Sequence, residues 1–324
     1  MNLARVVSVG ILAIGLASCQ HFEAERETTQ PNILLIIADD LGFTDLSSYG
    51  SEIRTPNIDA LAARGLRFSQ FHTAPQCAPT RAMLYSGNNN HVAGALPDHR
   101  EAFLSDQITP FPKRLQMLGY RTLIVGKWHL GHDAHQAPNH AGFDQSFVLT
   151  HGATHQFSTL GLTPRGTRYR EDGRVVDYPT GEYTTTLFTN RIIDWIGSAK
   201  QPNKPFLAVA SYTAPHWPLQ VPEADLDLYQ GVYDAGYDVL RQQRLDGAIA
   251  AGVAQPQTLP TRDPSVAAWD SLSPMQQRIE SRKMELLAAM IEVLDRNIGR
   301  LIVHIRTADQ LDNNLIILLS ENGA

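Results

Sequence analysis

Short apolar runs alternate along the chain with segments of helical periodicity. Each run has the length of a β-strand and is almost uninterrupted by polar residues, which is typical of a strand buried on both faces of a sheet. Because helical segments separate the runs, the pattern predicts an α/β fold built around a sheet. The four runs cover residues 32–38, 122–126, 206–210 and 315–319.

Helices are predicted between these strands from apolar residues that recur three or four positions apart. The longest, over residues 276–306, carries such a stripe from Met284 to Ile305, which indicates a core-facing helix rather than a cofactor-binding pattern. Residues 222–274 are rich in Tyr, Asp, Gln and Pro with weak periodicity, and we expect a loop-rich excursion there. The other predicted helices cover residues 55–65, 109–118 and 184–196.

The N-terminal segment has the pattern of a secretory signal. Arg5 precedes an apolar run over residues 6–16, which is too short to cross a bilayer of about 30 Å, and small residues follow it. Residues 16–19, Leu-Ala-Ser-Cys, resemble the lipobox of bacterial lipoproteins, in which the cysteine, here Cys19, is acylated and becomes the mature N-terminus. An ordinary signal peptide that happens to contain Cys19 is the alternative.

The lipobox resemblance predicts where the protein resides. Gln20, in place of an Asp, favours the outer membrane. We therefore expect a lipoprotein of the periplasm or cell surface of a Gram-negative bacterium, attached to the lipid membrane only through acylated Cys19. Residues 20–30 are polar and are predicted to be a flexible tether. The predicted organisation is a signal peptide over 1–19, this tether, and one folded domain over 31–324.

Composition and charge narrow the function classes. The 324 residues carry 27 Lys plus Arg against 33 Asp plus Glu, and this net charge of −6 excludes a basic nucleic-acid-binding protein. With 43% hydrophobic and 19% charged residues, the composition is that of a globular chain. If Cys19 is lipidated, Cys77 is the one thiol of the folded domain in an oxidising compartment. It is either a buried cysteine that packs as a small apolar residue or a functional group.

Polar residues that could carry chemistry follow the predicted strands, where ligands bind in open α/β sheets. Adjacent carboxylates such as Asp39 and Asp40 repel each other at the end of a buried strand unless a cation or hydrogen-bond donors neutralise them. A turn or a helix cap would explain this pair alone, but an acid and an amide after the last strand favour a metal. Because acids and amides offer only oxygen, the metal is Ca²⁺ or Mg²⁺ rather than zinc. The residues concerned are Asp39, Asp40, Lys127, Trp128, His129, His216, Glu321 and Asn322.

The segment Cys77-Ala78-Pro79-Thr80-Arg81 resembles the C-x-P-x-R signature of the sulfatase family. Further motifs of that family, most similar to those of bacterial arylsulfatases, follow in order over nearly the whole mature sequence. The resemblance implies a sulfatase catalytic domain over 31–324, with an alkaline-phosphatase-like α/β fold and a mostly parallel mixed sheet between helices. The further motifs lie at residues 31–42, 54–59, 91–94, 119–122, 126–131, 152–155, 214–219 and 295–300.

The family resemblance also implies a modified residue and a metal ion. In the family, a maturation enzyme oxidises the signature cysteine to formylglycine, and the hydrate of this aldehyde attacks the sulfate ester. Here that residue is Cys77. By the same resemblance, Ca²⁺, in preference to Mg²⁺, would be held by Asp39, Asp40, Glu321, Asn322 and the modified Cys77.

Further side chains receive roles from the resemblance. Arg81, one helical turn beyond the signature cysteine, would reach back to the hydrate, and Lys127 would contact the sulfate or the leaving oxygen. His129 is the expected base for releasing sulfate from the enzyme, and His216 is the expected acid or donor toward the leaving alcohol. His155 is expected to line the substrate pocket. Outside these motifs, each histidine would be interpreted as a surface or core residue.

Two features depart from the family pattern. Glu321 stands where the family usually has Asp, and its extra methylene moves the carboxylate by about a bond length, so we expect weaker metal binding that Ca²⁺ tolerates better than Mg²⁺. The chain also ends at Ala324, two residues past Asn322. Because the family continues through a smaller C-terminal subdomain that supplies another substrate-contacting lysine, we expect a truncated product that lacks this subdomain.

Three functions are compatible with these residues. The first is a sulfuric ester hydrolase that acts on an aryl or carbohydrate sulfate, so that its partner is a sulfated small molecule or glycan. The second is a phosphonate monoester or phosphodiester hydrolase of the same superfamily, because some of these enzymes also use formylglycine. The third is a non-catalytic remnant that binds a sulfated ligand without cleaving it.

Overall fold

A mixed β-sheet forms the centre of the computed structural model. Its strands are β1 (Asn32–Asp39), β2 (Arg121–Lys127), β3 (Gln145–Leu149), β4 (Tyr169–Glu171), β5 (Arg174–Val176), β6 (Phe206–Pro215) and β7 (Asn314–Ser320). In space their order is β5-β4-β3-β2-β6-β1-β7. From β3 to β7 in that order the strands are parallel, whereas β4 and β5 form an antiparallel extension. The predicted α/β fold with a mostly parallel mixed sheet is confirmed.

The structure describes residues 30–94, 103–161, 166–198, 204–258 and 262–323, and the folded unit begins at Pro31. The predicted signal peptide over 1–19, with Cys19, lies outside the described residues, as does the predicted tether up to residue 29. Within the described ranges, no helix combines the length and the apolar character that crossing a membrane requires.

The predicted strands and helices are present. The four apolar runs form β1, β2, β6 and β7, and the four helical patterns form helices over Pro56–Arg64, Phe111–Met117, Thr184–Gly197 and Pro274–Thr307. The short strands β3, β4 and β5 were not predicted. The helices are α1 (Pro56–Arg64), α2 (Cys77–Ser86), α3 (Asn90–Ala93), α4 (Phe111–Met117), α5 (Thr184–Gly197), α6 (Tyr237–Ala250) and α7 (Pro274–Thr307).

The prediction of a loop-rich excursion over residues 222–274 is wrong in one part, because α6 occupies its middle. Ala248 is the single buried residue of this helix, so its sequence carries little apolar periodicity. The helix packs closely through Gly247, where a Cβ would lie 2.1 Å from the carbonyl oxygen of Gly50. A backbone contact through a small residue therefore takes the place of the apolar stripe that would have signalled the helix.

Alternate residues of β1 point to opposite faces of the sheet, and helices cover both faces. Leu34 and Ile36 belong to a core cluster that contains residues of α5 and α7. Leu35 and Ile37 belong to a second cluster, together with residues of α2 and α4. Because this central strand has no face toward solvent, its sequence is continuously apolar rather than alternating.

A buried carboxylate joins α7 to the start of α1. Asp295 accepts hydrogen bonds from the backbone N–H groups of Asn57 and Ile58 at 3.1 and 2.8 Å, and from Asn57 Nδ2 at 2.7 Å. Gly299 leaves room for the Asn57 side chain, since a Cβ there would lie 2.4 Å from Asn57 Oδ1. The carboxylate satisfies N-terminal donors of α1 that have no acceptor within the helix. The sequence motifs at residues 54–59 and 295–300 therefore contact each other in the structure.

Replacing Asp295 with Ala should lower the free energy of unfolding by about 2–4 kcal/mol, because buried donors lose their acceptor. Urea unfolding followed by circular dichroism measures the loss. The matched control is Asp312→Ala at an exposed position, which should change stability by less than about 0.5 kcal/mol. Equal losses in the two variants would contradict the capping role of Asp295.

Candidate active site

The carboxyl ends of parallel strands bring the predicted site residues to one edge of the sheet. Asp39 and Lys127 are the last residues of β1 and β2, His216 directly follows β6, and Glu321 directly follows β7. Because β1 pairs with both β6 and β7, and β6 with β2, these ends lie side by side. Residues that are distant in the chain therefore share one location.

Lys127 is completely buried at this edge and contacts two carboxylates. Its Nζ donates to Asp39 Oδ1 and Oδ2 at 2.8 and 2.7 Å, and to Glu321 Oε1 at 3.1 Å. Burial lowers the pKa of Lys127, but the carboxylates of Asp39 and Glu321 outweigh burial and raise the pKa above its ordinary value. The ammonium group is therefore charged at neutral pH.

Arg81 is a second buried cation, one helical turn beyond Cys77 in α2. Its Nη1 donates to the Lys127 carbonyl oxygen at 2.5 Å and to Ser211 Oγ at 2.6 Å, and its Nε forms an ion pair with Glu321 Oε2. Burial raises the pKa of Glu321, but Arg81 and Lys127 outweigh burial and lower this pKa to about 2. Glu321 is thus an ionised carboxylate held between two cations.

Negative charge is in excess in this cluster. Among the described side chains, the carboxylates of Asp39, Asp40 and Glu321 face two cations, Lys127 and Arg81. Burial, and then the neighbouring Glu321 carboxylate, raise the pKa of Asp39 well above its ordinary value. Crowded buried carboxylates of this kind need further positive charge, which a divalent metal ion can supply.

Asp40 connects the end of β1 with Asn322 and His216. Its backbone φ of 60° is in the left-handed region, which Asp tolerates better than most residues. Asn322 Nδ2 donates to Asp40 Oδ1 at 2.6 Å, and His216 Nε2 lies 3.5 Å from Asp40 Oδ2. Asn322 Oδ1 is buried and has no hydrogen-bond partner among the described residues. Because the buried Asn322 Oδ1 accepts no hydrogen bond there, it is suited to bind a cation.

Asp39 belongs to two groups of side chains that could each hold a metal ion. Ligand atoms of Asp39, Asp40 and His216 lie within 4.8 Å of one another, and so do those of Asp39, Cys77 and Glu321. Carboxylate and amide oxygens are the ligands that Ca²⁺ and Mg²⁺ prefer. The residues present therefore fit an oxygen-rich metal site, and Cys77 lies next to it.

Cys77 is half-buried at the first residue of α2. The backbone N–H groups at this end of a helix have no acceptor within the helix, so an anion is favoured there. Burial nevertheless raises the pKa of the Cys77 thiol. The unmodified side chain is therefore a neutral thiol rather than a thiolate nucleophile at neutral pH. Its half-buried position beside two carboxylates differs from that of a cysteine that fills an apolar core.

His129 is half-buried two residues after Lys127, with a left-handed φ of 55°. Burial, and then the positive charges of Lys127 and Arg81, lower the pKa of His129 well below its ordinary value, so the imidazole is neutral and can accept a proton. Its Nδ1 has no hydrogen-bond partner in the described part of the chain. Gly152 makes room for the ring, since a Cβ there would lie 2.5 Å from His129 Cε1.

A path of three hydrogen bonds connects His155 to the backbone of His216. Its Nε2 is 2.5 Å from Gln220 Nε2, and Gln220 Oε1 accepts from the backbone N–H of Gln156. Gln156 Nε2 in turn donates to the carbonyl oxygen of His216 at 3.2 Å. The structure therefore connects His155 to the segment that carries His216, and its predicted contact with substrate stays a prediction.

Two residues to which the sequence analysis assigned no role set the position of Lys127. Ser211 in β6 is fully buried, and its Oγ donates to the Lys127 carbonyl oxygen at 2.7 Å while it accepts from Arg81 Nη1. Gly126 pairs with Ser211 and has a φ of 99°, and a Cβ on it would lie 1.8 Å from the Ser211 carbonyl oxygen. The sequence signal for Ser211 was a polar residue that directly follows a predicted apolar strand.

Replacing Gly126 with Ala should lower the free energy of unfolding by at least about 3 kcal/mol, because the new Cβ meets a backbone oxygen and the left-handed φ disfavours Ala. Gly119→Ala is the matched control. Gly119 has a similar φ of 94° but nothing within 4 Å of the added Cβ, so its substitution should cost about 1 kcal/mol. Thermal and urea unfolding compare the two variants. Similar losses would contradict the inferred close contact between β2 and β6.

Comparisons with known proteins identify the family of this chain. The chain belongs to the sulfatase family, whose family model matches residues 31–324. An uncharacterized sulfatase of Schizosaccharomyces pombe is 37% identical over 94% of this chain and 59% of its own length. The arylsulfatase of Klebsiella aerogenes is 35% identical over 99% of this chain and 70% of its own length.

A solved structure has a similar fold. The crystal structure of Ps i-CgsB matches with a TM-score of 0.69 at 26% identity, and the match covers 91% of this chain and 59% of that one. The chain therefore spans between 59% and 70% of the length of these three proteins.

Proposed function

We propose that this protein hydrolyses a sulfate monoester, with a formylglycine nucleophile derived from Cys77 and with Ca²⁺ bound by the neighbouring oxygen donors. The observation that carries the proposal is the common location of Cys77, Asp39 and Glu321, whose ligand atoms lie within 4.8 Å of one another. Membership of the sulfatase family supports the reaction class. Two buried cations beside these residues suit a substrate that is itself an anion.

Asp39, Asp40, Glu321 and Asn322 would hold the Ca²⁺, and the unpartnered Oδ1 of Asn322 supports this choice. When bound, the ion supplies positive charge that offsets the repulsion between a sulfate ester and an attacking oxygen. Both carboxylate oxygens of Asp39 accept from Lys127 in the structure. If Asp39 shared one oxygen with an ion, an N–H of Lys127 would become available to the sulfate or to the leaving oxygen.

The modified residue 77 would supply the attacking oxygen, and the second hydroxyl of its hydrate would provide a route for releasing sulfate. Arg81 Nη2 is buried without a hydrogen-bond partner among the described residues, so this group is available to residue 77. Arg81 and Lys127 are both fixed by hydrogen bonds and ion pairs. Their charges therefore need little reorganisation when the substrate binds, which favours electrostatic stabilisation of a transition state.

His129 and His216 would move protons in opposite directions. The neutral imidazole of His129 can accept a proton from the hydrate. His216 Nδ1 donates to the carbonyl oxygen of Trp217 at 2.6 Å, which leaves Nε2 as the nitrogen that exchanges its proton. Burial, and then Lys127, lower the pKa of His216, so its protonated form is a stronger acid toward a leaving alcohol.

The substrate is proposed to be an aryl or carbohydrate sulfate, that is, a sulfated small molecule or glycan. The relative in Klebsiella aerogenes is named an arylsulfatase. The structure of Ps i-CgsB has also been determined in complex with k-i-k-neocarrahexaose, with a TM-score of 0.67 to this chain. These two cases support both substrate classes without favouring one.

Maturation and location complete the proposal. A formylglycine-generating enzyme would convert Cys77, and acylation of Cys19 would anchor the protein in the outer membrane with the folded domain outside the cytoplasm. The lipobox-like sequence at residues 16–19 supports the anchor. The proposed partners are therefore the maturation enzyme, which acts on Cys77, and the lipid membrane, which holds acylated Cys19.

Conversion of Cys77 should be required for turnover. After co-expression with a formylglycine-generating enzyme, intact-mass analysis of the peptide around residue 77 should show the aldehyde, and the protein should hydrolyse p-nitrophenyl sulfate. Cys77→Ala should lower kcat by at least about 10³-fold, because the nucleophile is lost. Met117→Ala, at an exposed position before β2, is the control and should keep full activity.

Two outcomes would replace the sulfatase proposal by an alternative. Faster hydrolysis of a p-nitrophenyl phosphodiester than of p-nitrophenyl sulfate would favour the phosphonate monoester or phosphodiester hydrolase. A peptide that remains entirely thiol, together with binding of a sulfated ligand but no turnover, would favour the non-catalytic remnant.

Calcium should stabilise the folded protein through the oxygen cluster. At a Ca²⁺ concentration about 100 times its Kd, the free energy of unfolding should exceed that of the EDTA-treated protein by about 2.7 kcal/mol. Asp40→Asn should weaken this effect because a charged ligand is lost, whereas the exposed control Asp312→Asn should retain it. Thermal unfolding with and without Ca²⁺ measures the difference. An identical gain in Asp40→Asn would show that the ion binds elsewhere.

A further inference from the structure

Trp217 is a large exposed aromatic residue directly beside the proposed acid, His216. Its relative exposure is 56%, although tryptophan side chains are usually mostly buried. The other three tryptophans of the chain, Trp128, Trp195 and Trp269, are buried or half-buried. The mechanism proposed above uses the carbonyl oxygen of Trp217 and leaves its indole without a function.

The imidazole of His216 contacts both the acidic cluster and the indole. Its Nε2 lies 3.5 Å from Asp40 Oδ2, and its ring centroid lies 5.9 Å from that of Trp217, with 25° between the planes. A leaving oxygen that takes a proton from Nε2 must lie about 3 Å from this atom. The carbon skeleton attached to that oxygen then comes within reach of the indole.

Hydrogen bonds from a second segment hold the residues around Trp217 in place. Gln156 Nε2 donates to the carbonyl oxygen of His216 at 3.2 Å, and the Gln156 backbone N–H donates to Gln220 Oε1 at 2.8 Å. Gln156 is buried, and its Oε1 accepts from Thr213 Oγ1 at 3.1 Å. The indole is therefore presented by a fixed segment, so a ligand that packs on it need not order a loop.

We infer that the indole of Trp217 is a stacking surface for the ring of the leaving group, so that it selects sulfate esters of aryl or pyranose rings over acyclic alkyl sulfates. This inference rests on the proposed function and specifies the part of the substrate beyond the sulfate. Aromatic faces attract other rings by stacking and the apolar faces of sugars by burial of their C–H groups. The sulfate itself is bound by charges that an acyclic ester would meet equally well.

Calorimetric titration of the Ca²⁺-loaded Cys77→Ala protein tests this inference, because a bound ester is not consumed. The ligands are phenyl sulfate, galactose 6-sulfate and methyl sulfate, so that the aryl and sugar rings are separate arms. A second substitution, Trp217→Ala, should weaken binding of at least one ring ester by about tenfold while the affinity for methyl sulfate stays unchanged. Trp217→Phe should retain the ring preference, and Met117→Ala, at a distant exposed position, should change nothing.

A fluorescence readout is available because the indole of Trp217 is the one exposed indole of the chain. Phenyl sulfate should alter the emission of the protein that retains Trp217, and this change should be absent in the Trp217→Phe variant. Equal loss of affinity for methyl sulfate and both ring esters in Trp217→Ala, or no loss for any ester, would overturn the stacking role and leave the sulfatase proposal intact. If the Ca²⁺-loaded protein that retains Trp217 binds none of the three esters, the proposed function is overturned, and this inference with it.

Discussion

Burial of the Asp39 and Glu321 carboxylates with two cations at one edge of the sheet, beside the half-buried Asp40, is the constraint on which the rest of the site depends. Charges removed from water must be paired with good geometry, since an uncompensated one costs several kcal/mol. Lys127 and Arg81 therefore cannot be placed loosely. Ser211 fixes both by hydrogen bonds, and Gly126 lets β2 approach β6 closely enough for these bonds to form.

The same constraint connects the fold to the chemistry. Carboxylates at the ends of β1 and β7 are brought together because these strands are neighbours in a parallel sheet, although their residues are far apart in the chain. The two cations leave negative charge uncompensated among the carboxylates, and a divalent ion would be bound most favourably there. Cys77 lies beside this position at the start of a helix, and the helix start favours an oxygen nucleophile that must carry negative charge.

Much of this arrangement was predictable from the sequence, and the reasons are physical. Continuous apolar runs indicate strands buried on both faces, and polar residues directly after such runs lie at a common edge, so the convergence of Asp39 and Glu321 could be foreseen. Helix α6 could not be foreseen, because it packs through a glycine and has a single buried residue. Ser211 and the left-handed φ of Gly126 were missed for another reason. The polar Ser211 after an apolar run was a signal for a residue at the sheet edge, but its bonds to Lys127 and Arg81 and the close approach at Gly126 depend on contacts between strands, which no local pattern encodes.

The most direct test of the account is a crystal structure of the matured protein grown with Ca²⁺, with anomalous scattering used to locate the ion. We expect one Ca²⁺ at about 2.3–2.6 Å from oxygens of Asp39, Asp40, Glu321 and Asn322, with an oxygen of modified residue 77 completing its shell. An empty cluster at saturating Ca²⁺, with both Asp39 oxygens still bound to Lys127, would contradict the central claim that these carboxylates are arranged for a metal.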